Sequence, residues 1–198
     1  MTRGSESGAT PALRWHQHRE ALAFIALRFV PALAALSLVW EVAQLPLYTL
    51  WEEGMPQQVV FAVLHCTVGD VLIGLSALLL ALTATRAGPW PGWRWPELTA
   101  VATLIGVGYT GFSEWLNTVL RQSWSYSDWM PVLPVVDVGL SPILQWIVIP
   151  PMALWIARRY FLAETGFPEC ATPRPVRLTQ SNVRPDAAPP PRQQGERR

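Results

Sequence analysis

The stretch Val59–Leu82, VVFAVLHCTVGDVLIGLSALLLAL, decides the fold class. It is long enough for an α-helix that crosses a membrane, because such a helix needs about 20 apolar residues to span a hydrocarbon core of roughly 30 Å. Similar apolar runs cover 21–40, 98–120 and 138–156. A membrane β-barrel would need many segments of about 10 alternating residues, and the sequence lacks that pattern. The sequence therefore predicts an all-α membrane protein with four transmembrane helices.

The charged residues lie mostly outside these four runs. They make up 15% of the chain, against about 25% in a soluble domain. The runs define a transmembrane domain over 21–160, preceded by a polar lead over 1–20. Residues 161–198 are rich in Pro and Arg and poor in apolar residues, which predicts a largely disordered tail. The net charge of +1 gives no argument for a nucleic-acid partner.

Nearly all basic residues near the predicted helices flank one side of the bundle, which the positive-inside rule assigns to the cytoplasm. The loop over 121–137 faces the other side. In the two loops of that side together, Arg121 is the one basic residue, against the five acidic residues Glu41, Glu52, Glu53, Asp128 and Asp137. We therefore expect both termini in the cytoplasm, the protein in a bacterial inner membrane, and Trp90, Trp93 and Trp95 in an aromatic belt at the headgroups. The basic residues that set this orientation are Arg14, Arg19, Arg86, Arg94, Arg158 and Arg159.

Two carboxylates inside the runs lie on faces of small residues. Asp70 and Gly74 are four residues apart on the second run, and Gly106, Thr110 and Glu114 repeat that spacing on the third. Residues four apart share a helix face, and small residues mark where membrane helices approach closely. An ionisable group in hydrocarbon costs at least about 2.5 to 3.5 kcal/mol. The pattern therefore predicts that both carboxylates are buried against other helices.

His65, Glu114 and Gln145 are predicted to lie in one layer, at the same depth below the outer membrane surface. At about 1.5 Å per residue, each lies roughly 9 to 10 Å below the outer surface. One interpretation is a pocket open to the outer leaflet, with Glu114 and His65 as an acid–base pair. The other is that these polar groups only satisfy one another and fix the register of the helices.

Further polar and aromatic residues surround this layer. In the pocket interpretation they bind the ligand, and the aromatic residues of the 121–137 loop form a lid. In the structural interpretation the same loop is an aromatic belt with turns that its prolines impose. The residues predicted to bind a ligand are Asn117, Gln145, Ser141, Glu41, Trp124, Tyr126 and Trp129.

Arg28 and Asp70 are predicted to form a structural ion pair, because their depths differ by only about one to two helical turns. Arg28 could instead extend to the cytoplasmic headgroups. The runs contain one His and no CxxC spacing, so we expect neither a metal nor another cofactor.

Three functions fit these features. The first is binding or transformation of a lipid-like or isoprenoid-like molecule in the outer-leaflet pocket. The second is an accessory or assembly subunit of a larger membrane complex, and the third is a small proton-coupled carrier. The expected partners are the lipid bilayer, a lipid-like ligand and other membrane subunits or a second copy of the chain, and the sequence leaves open whether the protein is an enzyme.

Overall fold

The computed structural model describes residues 15–165, and their side chains as far as residue 161. Residues 1–14 of the predicted N-terminal lead and most of the predicted tail lie outside these residues, whereas 161–165, the first five residues of that predicted tail, are helical. The described chain is mostly helical. Three of its helices are long and apolar enough to cross a membrane.

The described chain contains five α-helical segments and one small hairpin. The helices are α1 (Arg19–Leu47), α2 (Leu50–Glu53), α3 (Pro56–Ala84), α4 (Trp95–Trp115) and α5 (Leu140–Thr165). Strands β1 (Val132–Leu133) and β2 (Val138–Gly139) pair antiparallel directly before α5. The three helices that could cross a membrane are α1, α3 and the part of α5 up to Phe161.

Helix α4 covers most of the third predicted run, but it is not among the three helices whose length and apolar composition would let them cross a membrane. It begins at Trp95 with Pro96 in its first turn, where the missing N–H of proline has no cost. Its polar residues, such as Glu97 and Glu114, lower its mean hydropathy. A π-helical turn, Leu116–Leu120, continues it towards the loop.

Proline and capping residues explain a π-helical turn in α1 and the start of α3. In α1 a π-helical turn, Ile25–Phe29, ends two residues before Pro31, as expected where a missing N–H disturbs the helix ladder. Helix α3 begins at Pro56, three residues before the predicted start of the second run. Its first turn is capped by Gln58, whose side-chain oxygen accepts a hydrogen bond from the Met55 N–H at 2.9 Å.

Helix α5 continues through Pro150 and Pro151 to Thr165, nine residues beyond the predicted end at 156. Arg158 and Arg159, which follow the predicted end, are accommodated on the helix. The Arg158 guanidinium lies 5.3 Å from the centre of the Trp95 ring. Arg159 makes the same kind of contact with Trp155, and such contacts let a cation remain on an apolar helix.

The predicted small-residue faces are confirmed as the buried faces of α3 and α4. Gly74 lies against Leu33 of α1, and a Cβ atom at Gly74 would collide with that side chain. Gly106 lies against the indole ring of Trp146 on α5, which would likewise collide with a Cβ atom. These two glycines therefore allow the close approach of neighbouring helices.

An apolar core fills the end of the bundle that contains the 85–94 turn. Phe24 packs on Trp90 with ring centres 4.6 Å apart, and on Trp93 at 6.0 Å. Both tryptophans are buried, so the expectation that they face the headgroups in a belt is wrong. The turn folds back onto the bundle because burying two indole rings removes more apolar area from water than a surface position would.

The Gly106 contact gives a direct test of the packing. We expect Gly106→Ala to destabilise the protein by about 1 to 3 kcal/mol, because the new methyl group overlaps a buried, rigid indole ring. The matched control is Gly108→Ala on the same helix, where a Cβ atom meets nothing within 4 Å. Thermal unfolding in detergent should show a lower midpoint for the first variant alone, and equal midpoints would contradict the close packing of Gly106 on Trp146.

Candidate functional site

The buried polar residues of the described chain gather at the end of the bundle opposite the apolar core. Each of the four long helices contributes one face to this polar end, so the residues meet on the bundle axis. They are Ser37, Glu41 and Gln44 of α1, Asp70 of α3, Thr110 and Glu114 of α4, and Ser141 and Gln145 of α5.

A pair of carboxyl groups joined by one amide lies at the centre of this polar end. The side-chain nitrogen of Gln145 donates to Asp70 Oδ2 at 2.6 Å and to Glu41 Oε1 at 3.2 Å. An amide nitrogen carries two hydrogens and can serve both acceptors. The three residues come from three different helices, so this one amide group connects α1, α3 and α5.

Gln44 extends the same network. Its side-chain oxygen accepts hydrogen bonds from the Ser141 hydroxyl at 2.8 Å and from the Trp40 indole N–H at 3.2 Å. Its side-chain nitrogen donates to Glu41 Oε1 at 2.9 Å. Glu41 thus receives two amide donors, and the orientation of each amide is consistent with the donors and acceptors around it.

Glu114 belongs to a second cluster, which includes a residue of the loop after α4. The Tyr126 hydroxyl donates to Glu114 Oε2 at 2.6 Å and accepts from the Gly139 N–H at 2.9 Å. Gly139 packs closely against this tyrosine, because a Cβ atom there would lie only 3.0 Å from the Tyr126 ring and from Met130 Sδ. The indole Nε1 of Trp124 is close to the same carboxylate but is not aligned to donate a hydrogen bond to it.

The environment of Tyr126 keeps its phenol protonated. Burial raises the pKa of the Tyr126 hydroxyl, and the hydrogen bond to Glu114 raises it further. The neighbouring Tyr48, whose ring centre is 5.6 Å away, also has a raised pKa, mainly because of burial. A phenol that keeps its proton can act as a donor to a carboxylate at any physiological pH.

A cavity of about 850 Å³ connects the two clusters. Glu41, Asp70 and Glu114 all line it, as does the exposed Glu53. Arg121 is the one arginine in its lining. Its aromatic and apolar walls are formed by Tyr48, Phe61, Ile73, Tyr109, Trp124 and Trp146. Within residues 15–165 no group of three or more His, Cys, Asp or Glu side chains is arranged to hold a metal ion.

The structure brings His65 and Glu114 to the same cavity but not into contact. The His65 ring is exposed and stacks on Phe61, with ring centres 5.5 Å apart. Glu114 is instead hydrogen-bonded to Tyr126. The acid–base pair of His65 and Glu114 stays a prediction, and the observed geometry offers the Glu41–Asp70 pair as an alternative.

Asp70 lies level with Gln145, and this differs from the depth that the sequence predicted. Gln145 is five residues after the start of α5, whereas Asp70 is fourteen residues after the start of α3. Helix α3 has 29 residues, about 43 Å at 1.5 Å per residue, which is longer than a hydrocarbon core of roughly 30 Å. Depth counted from the predicted start of the second run therefore placed Asp70 below Gln145, whereas the two side chains are in contact. The predicted ion pair of Arg28 with Asp70 stays a prediction.

The other predicted ligand-binding residues divide into two groups. Ser141 is buried in the network, and Trp124 and Asn117 line the cavity. The Asn117 amide donates to the Ser113 carbonyl of its own helix at 2.8 Å. Trp129 is 78% exposed and does not line the cavity, because the turn before β1 directs it away from the bundle.

Sequence reasoning missed Ser37, Gln44 and Tyr48. A signal for the first two was present, since Ser37, Glu41 and Gln44 are spaced four and three apart, as residues on one helix face are. The predicted end of the first run at 40 excluded Gln44 from the helix. Tyr48 lies in a loop, and its contact with Tyr126 is long-range and has no local sequence signal.

Comparison with known proteins identifies no similar protein. No protein-family model, curated protein or solved structure matches this chain. The structure itself shows a helical bundle with three helices that could cross a membrane and a cavity lined by carboxyl groups at one end.

Replacing the bridging amide tests the network. We expect Gln145→Met to destabilise the protein by about 1 to 3 kcal/mol, because it leaves two buried carboxyl groups without their shared donor. Asn117→Leu is the control, since the Asn117 amide bonds only within its own helix. Thermal unfolding in detergent measures both, and an equal loss in the two variants would show that Gln145 has no special role.

Proposed function

We propose that this protein is a multi-pass membrane protein whose polar cavity binds a lipid-like molecule. The observation that carries this proposal is the cavity of about 850 Å³ between the four long helices. Pockets of roughly 300 to 1,000 Å³ accommodate small organic ligands. The cavity has carboxyl groups at its inner end and aromatic side chains along its walls, a combination that suits an amphiphile.

The polar part of the ligand would carry hydrogen-bond donors. The carboxyl oxygens of Glu41, Asp70 and Glu114 provide acceptors in the cavity, so a hydroxyl or ammonium group would be favoured over an anionic headgroup. The rest of the ligand would lie against rings such as Phe61 and Tyr109. A headgroup that fits this description can belong to an isoprenoid or to another lipid.

If the bound molecule is transformed, the Glu41–Asp70 pair is the acid–base group that we favour. Two buried carboxyl groups held close together can share one proton, and a shared proton can be passed to a ligand. Glu114 would act separately, through its bond to Tyr126. We favour a pocket over a proton-coupled carrier because the apolar core around Phe24, Trp90 and Trp93 blocks the opposite end of the bundle.

We further propose that α4 is a fourth transmembrane helix and that both termini lie in the cytoplasm of a bacterium. Helix α4 has 21 residues, about 31 Å of helix, which is enough to cross a bilayer. Its charged Glu114 faces the bundle and not the outside. The arginines at the 85–94 turn and at the end of α5 would then lie on the cytoplasmic side of the inner membrane.

Lipid analysis tests the proposed pocket. We expect the protein purified in mild detergent to contain a defined lipid-like molecule, detected by mass spectrometry of an organic extract. The Asp70→Ala variant should retain at most about one tenth of it, the change that corresponds to about 1.4 kcal/mol of lost binding energy. Glu97→Ala is the control, because Glu97 lies outside the cavity and pairs with Arg94.

Two results would count against the pocket. One is that the wild-type protein contains no molecule beyond bulk lipid and detergent. The other is that Asp70→Ala and Glu97→Ala retain equal amounts. A stoichiometric partner protein in the same preparation, with no bound lipid, would favour the assembly-subunit alternative.

Reporter fusions test the proposed topology. Alkaline phosphatase is active only in the periplasm, so a fusion after Asp128 should be active and fusions after Gly88 and Arg159 should be inactive. A green fluorescent protein reporter, which folds in the cytoplasm, should give the opposite pattern. Activity of phosphatase after Gly88 would show that α3 and α4 do not cross the membrane as proposed.

A further inference from the structure

At the polar end, residues 45–49, which are the end of α1 and the residues after it, make a short antiparallel contact with residues 123–127 of the loop after α4. We call this contact the clasp (residues 45–49 and 123–127). The Thr49 N–H donates to the Ser125 carbonyl at 3.1 Å, and the Ser127 N–H donates to the Leu47 carbonyl at 3.0 Å. The Ser127 hydroxyl adds a bond to the Pro46 carbonyl at 2.9 Å. The clasp thus connects the end of α1 with the loop between α4 and α5.

The clasp forms part of the cavity wall. Its lining residues are Leu45, Tyr48, Thr49, Ser123, Trp124 and Ser125, whereas most of the remaining wall consists of residues of the long helices. Helices that pack through buried side chains separate with difficulty. A contact between a helix end and a loop, held by few backbone bonds, is the part of this wall that opens most easily.

One side chain ties the clasp to a helix face inside the cavity. Tyr126 belongs to the clasp and is the bridge partner of Tyr48. Its hydroxyl donates to Glu114 of α4 and accepts from the Gly139 N–H. Residues 123–127 cannot move away from the cavity unless the hydrogen bond between Tyr126 and Glu114 breaks or the loop around Tyr126 becomes more extended.

We propose that the clasp is the gate between the cavity and the aqueous side of the bundle, and that the Tyr126–Glu114 hydrogen bond is its latch. The gate would admit the ligand of the proposed function, and the inference rests on that function for its biological role. The opening itself can be measured without knowing the ligand, because the chain contains a reporter. Cys66 is a free thiol on α3 that lines the cavity.

The test measures how fast Cys66 reacts with a charged, membrane-impermeant methanethiosulfonate. The background is Cys170→Ser, which leaves Cys66 as the sole thiol. Tyr126→Phe should increase the rate about tenfold, because it removes one hydrogen bond to a carboxylate from the closed state. Tyr160→Phe is the matched control, since Tyr160 is exposed near the other end of α5 and its loss should not change the rate.

A reversible cross-link tests the gate in the other direction. Leu47→Cys and Ser127→Cys would place two thiols across the clasp, where paired backbones come close enough for a disulfide. The oxidised protein should react at Cys66 at least about tenfold more slowly than the same protein after reduction and removal of the reductant. Mass spectrometry of the Cys66 peptide separates its modification from that of the added cysteines.

The outcomes distinguish each part of the proposal. An unchanged Cys66 rate in the cross-linked protein would overturn the gate, since the reagent would then reach the cavity by another route. A slower rate on cross-linking but no effect of Tyr126→Phe would overturn the latch. Co-purification of a lipid tests the pocket and Cys66 kinetics test the gate, so either proposal can fail while the other holds.

Discussion

The amide group of Gln145 is the contact on which the polar end of the bundle depends. Its nitrogen donates to carboxyl groups from two other helices, so a single group joins α1, α3 and α5. A buried carboxylate that lacks its donors costs far more than the hydrogen bond itself contributes. The depth and rotation of the three helices are therefore set together, because a shift of any one of them would leave Glu41 or Asp70 without this donor.

This polar network is compatible with a stable bundle because the other end is packed mainly with aromatic and aliphatic side chains. Phe24, Trp90 and Trp93 form an aromatic cluster there, and the close contacts at Gly74 and Gly106 hold α1 to α3 and α4 to α5. The glycine contacts lie between the aromatic cluster and the carboxyl groups. The helices can therefore separate at the polar end and leave a cavity, while the apolar end remains closed.

The sequence predicted the buried faces of the helices well and the partners of the polar residues poorly. The spacing of Gly74, Gly106 and the carboxylates follows from helix geometry alone, so the faces could be read directly. The contact between Asp70 and Gln145 depends on how far α3 extends beyond its neighbours, which no periodicity records. The burial of Trp90 and the clasp between Tyr48 and Tyr126 are long-range arrangements, and a count of local features cannot find them.

The cavity contains carboxyl groups of two kinds, and the difference lies in what holds them. Glu41 and Asp70 receive donors from side chains on rigid helices, so their surroundings change little when the loops move. Glu114 receives its donor from Tyr126, which sits on a loop. Movement of that loop would remove the phenol from Glu114 and leave the Glu41–Asp70 pair as it is. One part of the site is thus fixed to the bundle, and the other is coupled to the position of the clasp.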